Sequence, residues 1–154
     1  MENDPPWYDH VVIPALLRHA RVTYGKAMRR ALEEAGFDDI PGNGLYLIGG
    51  LALDNGGVPI RQLVAELRIT KQGAGQLVDT LVSRGYLART PDEDDRRQMI
   101  VTLTERGEAA AQIQAEARER VDAALAARVS AEDIAATRRT LAALIDLRRE
   151  SEGD

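Results

Sequence analysis

The sequence predicts a mainly α-helical fold with a small β-hairpin, in the order of a winged helix-turn-helix flanked by long N- and C-terminal helices. Two observations carry this. Residues 60–106 read as a short helix, a tight turn, a second helix opening at Thr70, and a hairpin with a charged tip. On either side, apolar residues recur at spacings of three and four over stretches longer than a small domain needs to cover its own core.

Taken in order, residues 7–35 carry the first helical pattern, with Val12, Leu16, Ala20, Tyr24, Met28, Leu32 and Ala35 in one apolar row. Pro14 should kink this helix or mark a fresh start within it. A helix of about 28 residues would be ~40 Å long, a length that suits packing on a second chain. Gly36 is placed to stop it. After a loop at 38–42, Asn43 could cap a second helix to about Asp54, although Gly49-Gly50 weakens that expectation. Asn55-Gly56-Gly57 signals a turn and Val58 a single-residue strand.

Residues 60–67 predict a short amphipathic helix with Ile60, Leu63, Val64 and Leu67 inward, followed by a turn at Arg68-Ile69. Thr70 suits the N-cap of the next helix. That helix, 71–84, should bury Ala74, Leu77, Val78, Leu81 and Val82, and Gly85 should end it. Strands are expected at 86–90 and 98–103, with Leu87, Met99, Val101 and Leu103 inward. Thr104 then caps a long helix to about Arg128. Ser130 and Asp133 have capping-box spacing for a last helix, whose tail from Arg148 is expected to fray. Functionally, residues 43–104 are expected to form the DNA-binding lobe, and 1–42 with 105–154 the dimerisation region.

The chain has 154 residues, 44% hydrophobic and 29% charged, and no cysteine. Disulfides, cysteine-ligated zinc and thiol redox chemistry are excluded. His10 and His19 are not spaced as a one-turn ligand pair, so no metal or other cofactor is expected. Ser83 and Ser130 have no local base and there is no Gly-rich phosphate loop, so no enzyme is expected. With no signal peptide or membrane span in the pattern, the expected location is the cytoplasm.

The net charge of −5 is unevenly spread. Residues 58–107 hold eight Lys/Arg against seven Asp/Glu, or +1, while each flank sums to −3. Salt screens the distant acid within ~8–10 Å, so the local balance governs phosphate contact.

The inward set of the Thr70 helix leaves Lys71, Gln72, Gly75, Gln76 and Asp79 outward. Gln72 and Gln76 are four apart and can share a groove, where glutamine pairs well with adenine. Thr70 and Lys71 stand at the helix N-terminus, whose N–H groups attract phosphate. Gly75 would let the backbone approach DNA closely, whereas Gly73 reads as packing. The hairpin tip places Asp92, Glu93, Asp94 and Asp95 before Arg96 and Arg97. Asp95 could pair with a nearby arginine and brace the loop while Arg97 enters a minor groove. A solvated charged turn is the other reading.

Residues 70–87, together with Asp95-Arg96-Arg97 and the run from Val101 to Gly107, resemble the recognition helix and wing signature of the MarR (multiple antibiotic resistance regulator) family. The resemblance implies a homodimer that places two reading helices on a pseudo-palindromic double-stranded operator, and a transcriptional regulator, usually a repressor. It further implies a small, often aromatic, effector bound between dimer helices and DNA-binding lobe. The DNA contacts would fall on Thr70, Lys71, Gln72, Gln76 and Arg97, with Asp95 bracing the wing and Arg96 beside it. No motif carries over for the effector, for which His19 and Tyr46 are the candidate residues. The alternative is a winged-helix protein-interaction module that reads no DNA.

Overall fold

The computed structural model describes residues 4–53, 58–59, 62, 65 and 69–153. The expected turn at 55–57, and the expected helix at 60–67 with the Arg68 turn, lie outside the described residues. The exceptions are Gln62 and Ala65, both helical. The chain divides into two compact units, Met1–Arg118 and Glu119–Asp154.

The N-terminal pattern is not one long helix. A 3-10 turn, Trp7–His10, is followed by helix α1, Ile13–Glu34, of 22 residues with Pro14 in its first turn. Pro14 acts as a fresh start because a first-turn residue needs no N–H partner. The helix is therefore about 33 Å long and not ~40 Å. Helix α2, Gly44–Leu53, forms straight through Gly49-Gly50. It buries Leu45, Leu47, Ile48 and Leu51, enough apolar surface to offset the glycine cost.

Strand β1, Val58–Pro59, is followed by helix α3, Lys71–Ser83, and strands β2, Leu87–Pro91, and β3, Met99–Leu103. The sheet has three strands in the order β1-β3-β2, all antiparallel, with Val58 opposite Val101 and Leu87 opposite Leu103. Val58 is thus part of a paired edge strand, where Pro59 loses little by lacking an N–H. Met99, expected inward, is exposed. It stands opposite Pro91 at the far end of the hairpin, beyond the reach of the core.

Helix α4, Glu105–Ala126, and helix α5, Ala131–Glu152, complete the chain. The core joins Leu32 of α1, the α2 leucines, Val78 and Leu81 of α3, Tyr86, Leu87, Val101, and Ala110 and Ala111 of α4. Helix α5 starts with a capping box. The Ser130 hydroxyl accepts from Asp133 N–H at 3.0 Å, and Asp133 accepts from Ser130 N–H at 3.1 Å. The expected fraying from Arg148 does not occur, since the helix continues to Glu152 and the Arg149 carbonyl accepts from Gly153 at 3.1 Å. No described helix is long and apolar enough to cross a membrane.

Candidate nucleic-acid interface

Helix α3 is built as a two-sided element. Ala74, Val78 and Leu81 are buried, with Leu77 and Val82 packed partly beside them. Lys71, Gln72, Gln76 and Asp79 are exposed and Gly75 half-buried. Positions 72, 75, 76 and 79 fall on one face by helical spacing, so both glutamines point the same way. Among the described residues, a Cβ added at Gly75 would meet nothing within 4 Å, so this glycine serves no packing against them. A Cβ at Gly73 would come within 3.1 Å of the Thr70 hydroxyl.

Thr70 is the N-cap. Its side-chain oxygen accepts from Gly73 N–H at 2.9 Å, which leaves the other first-turn N–H groups for an anion. At the other end of α3, Gly85 adopts a φ of +82°. That left-handed turn lets Tyr86 N–H reach the Leu81 carbonyl at 2.9 Å and Gly85 N–H reach Val82 at 3.0 Å, a Schellman closure that only glycine takes without strain. The chain then enters β2 directly.

The hairpin tip gives its acids a structural role. The Asp92 carboxylate accepts from Asp94 N–H at 3.0 Å, and Asp95 from Arg97 N–H at 3.1 Å. These are side-chain-closed turns of the kind aspartate favours. Asp95 also meets Arg97 Nε at 3.2 Å. The arginine beside Asp95 is therefore Arg97 itself. Arg97 remains 92% exposed along its side chain, so the pair is weak and readily exchanged. Arg96 is exposed as well.

Sequence reasoning missed three groups. Asp79, on the outward face of α3, is paired with Arg89 of β2, so its charge is offset where it would repel phosphate. Arg29 of α1 donates to the carbonyls of Ile40 and Gly42, both at 3.1 Å, and holds the α1–α2 loop. Asp39, in the loop at 38–42, is the hub of a network. Its carboxylate accepts from the Tyr86 hydroxyl and from Arg106 at 3.3 Å, and its carbonyl accepts from Arg84. Arg106 also donates to the Tyr86 hydroxyl at 3.0 Å and lies 4.6 Å from its ring centroid. The Tyr86 bond, with help from Arg106, holds the Asp39 carboxyl below its ordinary range against the opposing effect of burial. Burial, and then the bond to Asp39, raises the Tyr86 hydroxyl. These partners lie 45 to 67 positions from Asp39, beyond any local pattern.

The same joint explains the run Leu103-Thr104-Glu105-Arg106-Gly107. Thr104 donates its hydroxyl to the Gly85 carbonyl and accepts from Gly107 N–H at 3.1 Å, while its own N–H bonds the Tyr86 carbonyl at 3.0 Å. A Cβ on Gly107 would run into that carbonyl oxygen and stand 3.0 Å from Leu103 Cδ2. The start of α4 is thereby fixed against the end of α3.

The two residues expected for an effector, His19 and Tyr46, stand on α1 and α2. His19 is exposed on α1. Tyr46 sits under Arg21, 4.2 Å from guanidinium carbon to ring centroid, and its hydroxyl fills the space beside Gly25.

Comparisons with known proteins agree with this geometry. A sequence model described as MarR family matches residues 45–98. No curated protein matches the chain. Among solved structures, Streptococcus pneumoniae FabT in complex with DNA is 21% identical, with 90% of this chain and 96% of that chain covered and a TM-score of 0.75. A MarR transcriptional regulator from Methanosarcina mazei Go1 is 20% identical with the same coverages and a TM-score of 0.74. The apo form of wild-type MarR from E. coli is 17% identical, covering 87% and 96%, with a TM-score of 0.64. Residues 45–98 are thus similar to the MarR family, and over about nine-tenths of its length the chain is similar in fold to these solved structures.

Proposed function

We propose that this chain is a dimeric, sequence-specific DNA-binding transcriptional repressor of the cytoplasm, released from its operator by a small ligand. The observation that carries the reading is the bare face of α3. Lys71, Gln72, Gly75 and Gln76 are outward while Ala74, Val78 and Leu81 anchor the helix behind them. In the proposal, Thr70 and Lys71 bring the capped helix end to a phosphate, and Gln72 and Gln76 read base edges in the major groove. The open side of Gly75 lets the backbone come close. Arg97 exchanges Asp95 for the neighbouring minor groove, with Arg96 on the backbone.

The proposed dimer supplies what one copy lacks. Trp7, Tyr8, Val12, Ile13, Leu17 and Val22 are exposed near the N-terminus. Separately, so are Leu125, Val129, Leu144, Ile145 and Leu147 of the C-terminal unit. Single exposed apolar side chains are ordinary, but sets repeated along one helix mark an interaction surface. Two reading helices about 34–36 Å apart would meet successive major grooves of a pseudo-palindrome.

A gel-shift with DNA from upstream of the protein's own gene tests the reading. The expected result is a shift at low salt that weakens steeply as salt rises, through counterion release. No shift at low salt would reject it and favour the protein-interaction alternative.

A further inference from the structure

Helices α1 and α3 end in the same way. After α1, Gly36 takes a φ of +86°, its N–H reaches the Glu33 carbonyl at 3.1 Å, and Phe37 N–H reaches that of Leu32 at 2.8 Å. This is the closure found at Gly85, where Tyr86 N–H returns to Leu81. Each closure delivers an aromatic side chain, and the rings of Phe37 and Tyr86 lie 6.1 Å apart. Arg106, in the first turn of α4, faces both rings. Its guanidinium carbon is 5.5 Å from the Phe37 centroid and 4.6 Å from that of Tyr86.

Hydrogen bonds tie this stack to the loop between α1 and α2. The Tyr86 hydroxyl donates to the Asp39 carboxylate and accepts from Arg106 at 3.0 Å. Arg84, which caps the C-terminal end of α3, donates to the Asp39 carbonyl. Two side chains at the end of α3 therefore grip one residue, and Arg29 of α1 holds the carbonyls of Ile40 and Gly42 just beyond it. The Arg106 and Asp39 side chains are 46% and 39% exposed, and pairs that open to water add little stability. What they fix is direction. Helix α3 has 13 residues and is about 20 Å long, so a tilt of about 5° around its gripped end would move its bare end by about 2 Å. A hydrogen bond tolerates only about 0.5 Å.

We infer that Asp39, Tyr86 and Arg106 are positioning residues for DNA reading. Their joint holds the C-terminal end of α3 on the end of α1 and the start of α4, and so sets the angle at which Lys71, Gln72 and Gln76 meet a duplex. None of the three needs to touch DNA. The inference rests on the proposed reading role of α3. Phosphate contacts tolerate a small shift better than paired hydrogen bonds to base edges, so loosening the joint costs discrimination more than affinity.

The test sets Tyr86→Phe, which keeps the buried ring and removes the hydroxyl at the centre of the joint, against Ile48→Val, a methyl deletion in the same core. The full chain and each variant are titrated by fluorescence anisotropy with duplex from upstream of the gene and with a scrambled duplex. Tyr86→Phe should lose about tenfold in discrimination and change its affinity for the scrambled duplex by less than about twofold. Asp39→Asn, which removes the charge facing Arg106, should show the same split. The two changes combined should cost no more than the larger single loss, because both act on one joint. Ile48→Val, destabilised by lost packing alone, should discriminate like the parent. The inference is overturned if both joint variants discriminate as well as the parent, if Ile48→Val loses as much as they do, or if their separate losses simply add. A parent that prefers neither duplex overturns the reading role of α3 and this inference with it. That outcome is distinct from a discriminating parent matched by its joint variants, which removes the positioning role and leaves the reading role standing.

Discussion

The unit Met1–Arg118 and the unit Glu119–Asp154 differ in what they bury. The first closes thirteen of its described side chains into one core, with Ile48, Leu81, Tyr86 and Val101 fully shielded. The second holds the whole of α5 and none of its described residues is buried, although its capping box is complete and Leu144, Ile145 and Leu147 lie along it. Local signals make that helix without burying any of its described side chains. Helix formation and tertiary burial are separate requirements, and most helix stability in proteins comes from the second.

The strongest way to break the comparison is at the centre. Gly107→Ala should cost at least about 3 kcal/mol in denaturant unfolding, since the added Cβ meets the backbone carbonyl of Tyr86, which cannot rotate away as a side chain could. A loss under about 1 kcal/mol would mean that the joint yields. At the other unit, Leu144→Glu with Ile145→Glu should leave the head folded but weaken self-association by at least about a hundredfold in sedimentation. An unchanged molecular mass would show that α5 is self-sufficient after all.

A smaller effect separates folding from reading on α3. Gly75→Ala should raise stability by up to about 1 kcal/mol, because no described residue stands within 4 Å of the added Cβ and alanine favours helix. The same change should weaken DNA binding by keeping the backbone off the groove. If it strengthened both, Gly75 would be mere tolerance.

The smallest expected effects are pH-dependent and belong to the Asp39 hub. The folded state lowers the Asp39 carboxyl, chiefly through the Tyr86 hydroxyl. Its stabilisation is therefore complete above the ordinary carboxylate value of about 4 and is lost as pH falls toward the lowered value. Tyr86 is raised, chiefly by burial. Its stabilisation is complete below the ordinary value of about 10 and is lost as pH rises through the raised one. Asp39→Asn should flatten the acid limb of a stability–pH curve, and Tyr86→Phe should remove the alkaline limb. A parent curve with no slope at either end would remove the hub from the account.

What the sequence revealed was local. The stop at Gly85, the caps at Thr70, Thr104 and Ser130, and the inward face of α3 all follow from neighbours within one turn, and the structure has each of them. Met99 was misplaced because strand alternation says which face a residue takes but not where the core ends. At the wing tip Asp92 and Asp95 close turns through backbone N–H groups, which a run of four acids does not announce. Asp39 was invisible because its partners arrive from the end of α3, the start of β2 and the start of α4.

The most direct test of the central claim is a fluorescence-anisotropy titration of upstream DNA with the parent and with Gln72→Ala/Gln76→Ala, each against a scrambled duplex. The account predicts that the parent prefers its own DNA. It also predicts that the double variant, still folded and still self-associating, loses most of that preference while keeping its salt-dependent affinity for the scrambled duplex. A double variant that discriminates as well as the parent would contradict the assignment of α3 as the reading helix.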